Sequence, residues 1–328
     1  MINLKKVGMT ALAGSLVAFS VNAAEMSVSG GVELTYTDTG GNTGNEVTGN
    51  SWGSNSGLSF KASGDVGFGT LTAVRAINDT NTGWGSSYQT LDLGGMGVLS
   101  FDSTGGALVG SSANDDLLPT AYEEMWTGVS GSGVKGVGST NVIGYRNTFG
   151  GVSISAGTSN GGTAGQGESS VSGAGSHGSA SDIYVSYAMD GFVVGGGYAT
   201  QGSTDISVTS DENKSTHVQG VYTSGPVSVG YRMGQQNNGK ASTASRAIDA
   251  YSIAFNVNEN LAVSYGVQDT EIEAIGAVVS STEKVKAYNA AYTMGAASIR
   301  VLRSKSDDDN GVTGVSDEHT EVSLVLSF

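Results

Sequence analysis

The chain contains no cysteine and only two prolines. Without cysteine no disulfide can hold an exported fold together, and at 328 residues the small stapled domains are excluded too. Basic residues are few: 15 Lys and Arg against 30 Asp and Glu leave a net charge of −15. That balance excludes a nucleic-acid binder, which needs Lys/Arg patches. Hydrophobic residues make up 38 %, below the roughly 45–50 % of ordinary globular domains. Beyond the N-terminal segment no apolar run reaches the ~20 residues a transmembrane helix needs. What the chain has in quantity is glycine, 52 of it. A water-soluble β-sandwich survives these exclusions. So does a transmembrane barrel, whose strands alternate apolar-out with polar-in and never build a long apolar run.

The N-terminal segment is of a different kind. Lys5 and Lys6 precede an apolar, small-residue stretch from Val7 to Val21, followed by Asn22, Ala23 and Ala24. This is the pattern of a secretory signal peptide, residues 1–23, cleaved after Ala23. Its apolar part is too short for a membrane anchor. Cleavage removes both lysines and takes the net charge to −17 over residues 24–328.

From Met26 to Thr37 even positions are apolar or small, and odd positions are mainly Ser, Glu and Thr. This run is long for a globular strand, whose length centres near 5–6 residues, and suits a tilted membrane strand. The same alternation returns at 58–66, 70–77, 88–93, 98–102, 141–148, 152–158, 182–189 and 192–200. It continues at 215–223, 227–234, 247–257, 261–269, 285–293, 296–304 and 319–328. Short Gly/Asn/Asp turns and longer polar loops separate these strands in strict alternation. Asp190-Gly191 is the clearest hairpin signal. An even strand number with short turns at one end and long loops at the other is the layout of an outer-membrane barrel. Only a closed sheet satisfies every backbone group of β-strands in lipid. The predicted fold class is therefore all-β, a 16-stranded antiparallel transmembrane β-barrel. Tyr36, Tyr145, Tyr187, Tyr198, Tyr222, Tyr231, Tyr251, Tyr265 and Tyr292 fall mostly near strand ends, where aromatic girdles sit. In the last run Val322, Leu324, Leu326 and Phe328 share one face, opposite Glu321, Ser323 and Ser327.

One stretch breaks the rhythm. Residues 103–140 carry no alternation, and two acidic pairs, Asp115/Asp116 and Glu123/Glu124, flank Pro119. A segment of this length without strands is usually functional or disordered. Pro119 and the residues from Thr120 to Trp126 read as one short helical turn, with proline at its first position.

Two stretches carry a family resemblance: Asn141-Val-Ile-Gly-Tyr145-Arg146-Asn-Thr-Phe-Gly-Gly151-Val-Ser-Ile-Ser, and the terminal Leu324-Val-Leu-Ser-Phe328. With them the whole mature chain resembles the trimeric general porins of Gram-negative bacteria, especially the alphaproteobacterial type. The resemblance implies sixteen strands, a third loop (residues 103–140) folded into the lumen, and a homotrimer in the outer membrane. It implies contact with outer-membrane lipid and lipopolysaccharide. It also implies that the barrel assembly machinery reads Leu324, Leu326 and Phe328. The Pro-Glu-Phe-Gly-Gly-type motif of enterobacterial third loops is absent, so their constriction geometry does not carry over.

Catalytic machinery is not visible. Gly131-Ser-Gly133-Val-Lys-Gly136 matches G-x-G-x-x-G, but in a loop of an all-β chain rather than between a strand and a helix. His177, His217 and His319 stand alone and read as solvated rather than as metal ligands. Asp307-Asp308-Asp309-Asn310-Gly311 has the composition of a calcium loop without EF-hand spacing, and reads as a solvated tip with loop-bound calcium as the alternative. No enzyme is expected. A charged pore is expected instead. By alternation Lys61, Arg146, Arg232 and Arg300 face away from apolar neighbours. Arg75 has ambiguous parity, and the cost of an arginine on lipid, about 2–4 kcal/mol at the midplane, favours the lumen. The constriction would set Asp115, Asp116, Glu123 and Glu124 against Lys61, Arg75 and Arg146, with Arg232 and Arg300 as further lumen candidates. The expected function is a water-filled channel for passive diffusion of small hydrophilic solutes and ions. A substrate-selective porin and a plugged barrel acting as an adhesin or receptor are the alternatives.

Overall fold

The computed structural model describes residues 25–43, 49–78, 86–104, 117–129, 142–159, 179–202, 212–238, 244–273 and 280–328. The expected signal peptide (residues 1–23), Asp115, Asp116, His177 and the glycine motif at 131–136 lie outside these. The strands are β1 (Glu25–Gly41), β2 (Trp52–Asp65), β3 (Thr70–Asn78), β4 (Ser86–Asp92), β5 (Val98–Thr104) and β6 (Val142–Phe149). They continue with β7 (Val152–Ser159), β8 (Ala180–Met189), β9 (Phe192–Gln201), β10 (Asn213–Ser224) and β11 (Val227–Asn237). The last are β12 (Arg246–Asn256), β13 (Leu261–Ile272), β14 (Ser281–Met294), β15 (Ala297–Asp307) and β16 (Ser316–Ser327). Each pairs antiparallel with its neighbours in sequence, and β16 pairs with β1, so the sheet is a closed barrel of sixteen strands. Mutual backbone hydrogen bonds between Gly30 and Phe328, both at 2.8–2.9 Å, complete the seam.

Tight turns close one end. Asp190 and Gly191 both adopt positive φ, 31° and 79°, the geometry that lets a two-residue hairpin follow the right-handed strand twist. The seven hairpin turns fall where the sequence places them. Strand ends on the loop side do not. Strand β2 begins at Trp52 rather than at residue 58, because a Gly/Ser/Asn run without alternation still pairs with β1, Trp52 opposite Tyr36. Their rings meet edge-on at 5.2 Å.

Direct partners in an antiparallel ladder share a face, so the register sorts every strand residue as outward or inward. Val32 opposes Leu326 and Leu34 opposes Leu324 on the outer face, and that face carries the exposed Val, Leu, Ile, Phe and Tyr side chains. Tyr231 lies beside Tyr251, and Tyr265 beside Tyr288, in the middle of their strands. Tyr145, Tyr187, Tyr222 and Tyr292 lie near the turns. The inner face is polar: Ser304, Gln268, Glu283 and Arg232 are all fully buried there. The molecule is inverted relative to a soluble protein, with apolar atoms outside and its buried polar groups within. Such an outer face fits lipid.

Candidate functional site

Residues 117–129 lie against the inner wall from β10 to β16. The grip is mostly on their backbone. Gln219 on β10 accepts from Leu117 N at 3.1 Å, and Ser252 on β12 donates to the Pro119 carbonyl at 2.9 Å. Ser264 on β13 accepts from Ala121 N at 2.8 Å. Asn289 on β14 accepts from Glu123 N at 3.3 Å and donates to Glu123 O at 3.1 Å. Ser304 on β15 donates to Thr127 O at 2.7 Å. These bonds replace the helical turn expected from Pro119 to Trp126. Wall side chains occupy the amides and carbonyls a helix would pair internally, and turn bonding appears only later, from Thr127 N to Glu124 O and Val129 N to Trp126 O.

Side chains reinforce the seat. Leu118 and Met125 are buried against Ala250, Ala287 and Leu302, with Tyr122 and Trp126 packed at the margin. Burial of each large apolar side chain is worth about 1.5–3 kcal/mol. The Arg232 guanidinium lies 4.7 Å from the Trp126 ring centre, and Arg300 lies 5.4 Å from that of Tyr122. The Tyr122 hydroxyl donates to Glu321 Oε1 at 2.7 Å. Burial holds the Tyr122 phenol well above its usual range, and the bond to Glu321 adds to the rise. Burial also raises the Glu123 carboxyl, helped by the negative charges of Glu124 and Glu321. Glu123 is half-buried and Glu124 is exposed on the segment.

The predicted basic residues part company. Lys61 on β2 pairs with Ser27 and Val74 on the inner face and is exposed there. Arg146 on β6 pairs with Val98 and Ser155, also inward and exposed. Arg75 is a correction: its register partners are Phe60 and Ser87, on the outer face, not the lumen face. Its Nη1 donates to the Val74 carbonyl at 2.8 Å. The run from Leu71 to Ile77 has apolar residues on both faces, so alternation could not settle its parity. Arg232 and Arg300 do face inward, but behind the segment. Arg232 is 0 % exposed and donates to Gln268 Oε1 at 2.9 Å, so it is an anchor rather than a lining charge.

Two histidines are also corrected. Neither His217 nor His319 is solvated, at 2 % and 7 % exposure. His217 stacks on Tyr184 with ring centres 5.6 Å apart, and His319 Nε2 sits 3.6 Å from Glu321 Oε2, with its ring against Gly128. The acidic run at the last loop does not assemble a calcium site. Asp307 pairs with Lys305 at 3.3 Å, Asp308 accepts from Gly314 N at 2.7 Å, and Asp309 is buried. Among the described residues no three His, Asp or Glu side chains converge as metal ligands.

A closed sixteen-strand barrel with an apolar exterior, a polar interior and a segment laid along its inner wall defines a membrane channel. The sequence matches the Gram-negative porin family over residues 8–327, and the chain belongs to that family of outer-membrane channels for passive diffusion. No curated protein is similar enough in sequence to match. Solved structures share the fold. An OmpF of Salmonella typhi in complex with daunomycin is 13 % identical, with 93 % of this chain and 98 % of that one covered and a TM-score of 0.68. An anion-selective porin from Comamonas acidovorans is 15 % identical, with coverage of 93 % and 100 % and a TM-score of 0.65. A trimer form of OmpT from Vibrio cholerae is 13 % identical, with coverage of 93 % and 100 % and a TM-score of 0.64.

Proposed function

We propose that residues 117–129 form one lip of the channel's constriction and that the opposite lip is the wall from β2 to β7. The observation that carries this reading is the asymmetry of the inner wall. The segment lies along β10 to β16, whereas Lys61 and Arg146 face the lumen exposed among the described residues. Glu123 and Glu124, with Asp115 and Asp116, then stand across a narrow aqueous gap from two cations. Opposed charges set up a transverse field that polar solutes tolerate and apolar ones do not, so width and lining charge set selectivity. Small hydrophilic solutes and ions are the cargo. The net charge of −17 after cleavage after Ala23 favours cations, in contrast to the anion-selective porin from Comamonas. The test is single-channel recording with Asp115, Asp116, Glu123 and Glu124 all changed to Asn or Gln. Conductance and cation preference should both change; identical values would exclude the constriction role.

Assembly follows the same family. We propose a homotrimer, in line with the trimer form of the Vibrio OmpT. Arg75 supports a protein neighbour at β3, because an arginine facing lipid at the midplane costs about 2–4 kcal/mol. Blue-native electrophoresis of Arg75→Glu should show monomers where the wild type runs as trimer. Outward-facing Leu324, Leu326 and Phe328 are the proposed signal to the assembly machinery, and lipopolysaccharide is the proposed neighbour of the loop-end rim.

A further inference from the structure

We infer that Gly230 on β11 and Gly266 on β13 are sockets in the inner wall that seat residues 117–129. Through that seating they set the width of the passage. The inference rests on the reading of that segment as the constriction. A Cβ at Gly230 would lie 2.6 Å from Pro119 Cδ and 2.9 Å from Leu118 Cδ2, and one at Gly266 would lie 3.0 Å from Met125 Cε. Both separations at Gly230 are closer than real side-chain contacts allow, so something would have to move. Neither glycine has positive φ. The backbone therefore does not require glycine at either place; only space does. Glycine in the middle of a strand is otherwise unfavourable and commonly marks close approach by another part of the chain. Gly220, on the outer face of β10, shows the contrast: a Cβ there meets nothing nearer than 3.7 Å.

The two sockets differ in firmness. Pro119 has a rigid ring, and its carbonyl is tied to Ser252 at 2.9 Å. A methyl group at position 230 cannot be accommodated by a rotamer change, so the segment must lift into the lumen. Met125 Cε is the far end of a flexible side chain and can turn aside. Gly230 is thus the stronger positioning residue and Gly266 the weaker. Both act through the segment rather than on the solute.

The test uses full-length barrels in planar bilayers, with Trp126 as the only tryptophan after Trp52→Phe and Trp84→Phe. Gly230→Val should cut single-channel conductance roughly twofold, since narrowing of the pore acts directly on passage. Gly230→Ala should do so less, and Gly266→Ala least. Each should shift Trp126 emission, because the ring leaves its place beside Arg232. Gly230→Ala with Pro119→Ala should restore conductance, a rescue that a merely weakened barrel would not show. Gly220→Ala should match the wild type. Should Gly230→Val fail to fold, Gly230→Ala and its rescue carry the same test. Unchanged conductance and unchanged Trp126 emission in the Gly230 variants would overturn the sockets. A shifted emission with unchanged conductance would keep the sockets and overturn the constriction.

Discussion

The two halves of the inner wall come from the same alternating pattern but do different work. From β10 to β16 inward Gln219, Arg232, Ser252, Ser264, Asn289 and Ser304 bond to or pack on residues 117–129. From β2 to β7 the inward side chains include Lys61 and Arg146, both exposed among the described residues. The lesson is that facing the lumen does not make a residue part of the passage. Arg232 and Lys61 are both inward cations, yet one clamps a tryptophan and the other meets water.

The comparison predicts a gradient of stability effects. Arg232→Ala should be the most damaging, about 2 kcal/mol or more, because a desolvated cation–π contact and a buried hydrogen bond go together. Midpoints of unfolding in detergent would read it. Asn289→Ala removes both bonds to the Glu123 backbone and leaves buried groups unpaired, at a cost of about 1–3 kcal/mol by the same measurement. Lys61→Ala with Arg146→Ala should stay within about 0.5 kcal/mol, as exposed positions do, while reversal potentials move further towards cations. A stability loss from the open wall as large as that from Arg232 would dissolve the distinction between the halves.

The smallest effect is a titration. Glu123 has its folded pKa raised above the unfolded value, so its ionised form costs stability above the folded pKa, and that cost vanishes below the unfolded one. Mild acidification should therefore stabilise the segment slightly and remove one negative charge from the gap. Cation preference should begin to fall at a higher pH than an unshifted glutamate would give. Glu123→Gln should abolish that first step and leave the later fall intact.

Much of this was legible in the sequence. Period-two alternation and the strict order of turns and loops yielded sixteen strands, because an outward face on lipid and an inward face on water impose opposite chemistry on successive residues. Parity failed at Arg75, where both faces of β3 are apolar. Strand ends failed at β2, where pairing outlasts the membrane and alternation has no reason to persist. The side of the wall taken by the segment was hidden too. Its anchors Gln219, Ser252, Ser264, Asn289 and Ser304 look like any polar lining. Nothing local marks which serine will meet a carbonyl from more than a hundred positions away. The same blindness made His217 and His319 look solvated.

Because the wall holds Glu123 by its amide and carbonyl, the mount does not depend on the carboxylates at 123 and 124. Substitutions at Glu123 and Glu124 can alter what crosses without dislodging the support. A lineage of such channels could change its diet by a few point mutations while inheriting the bracket unchanged.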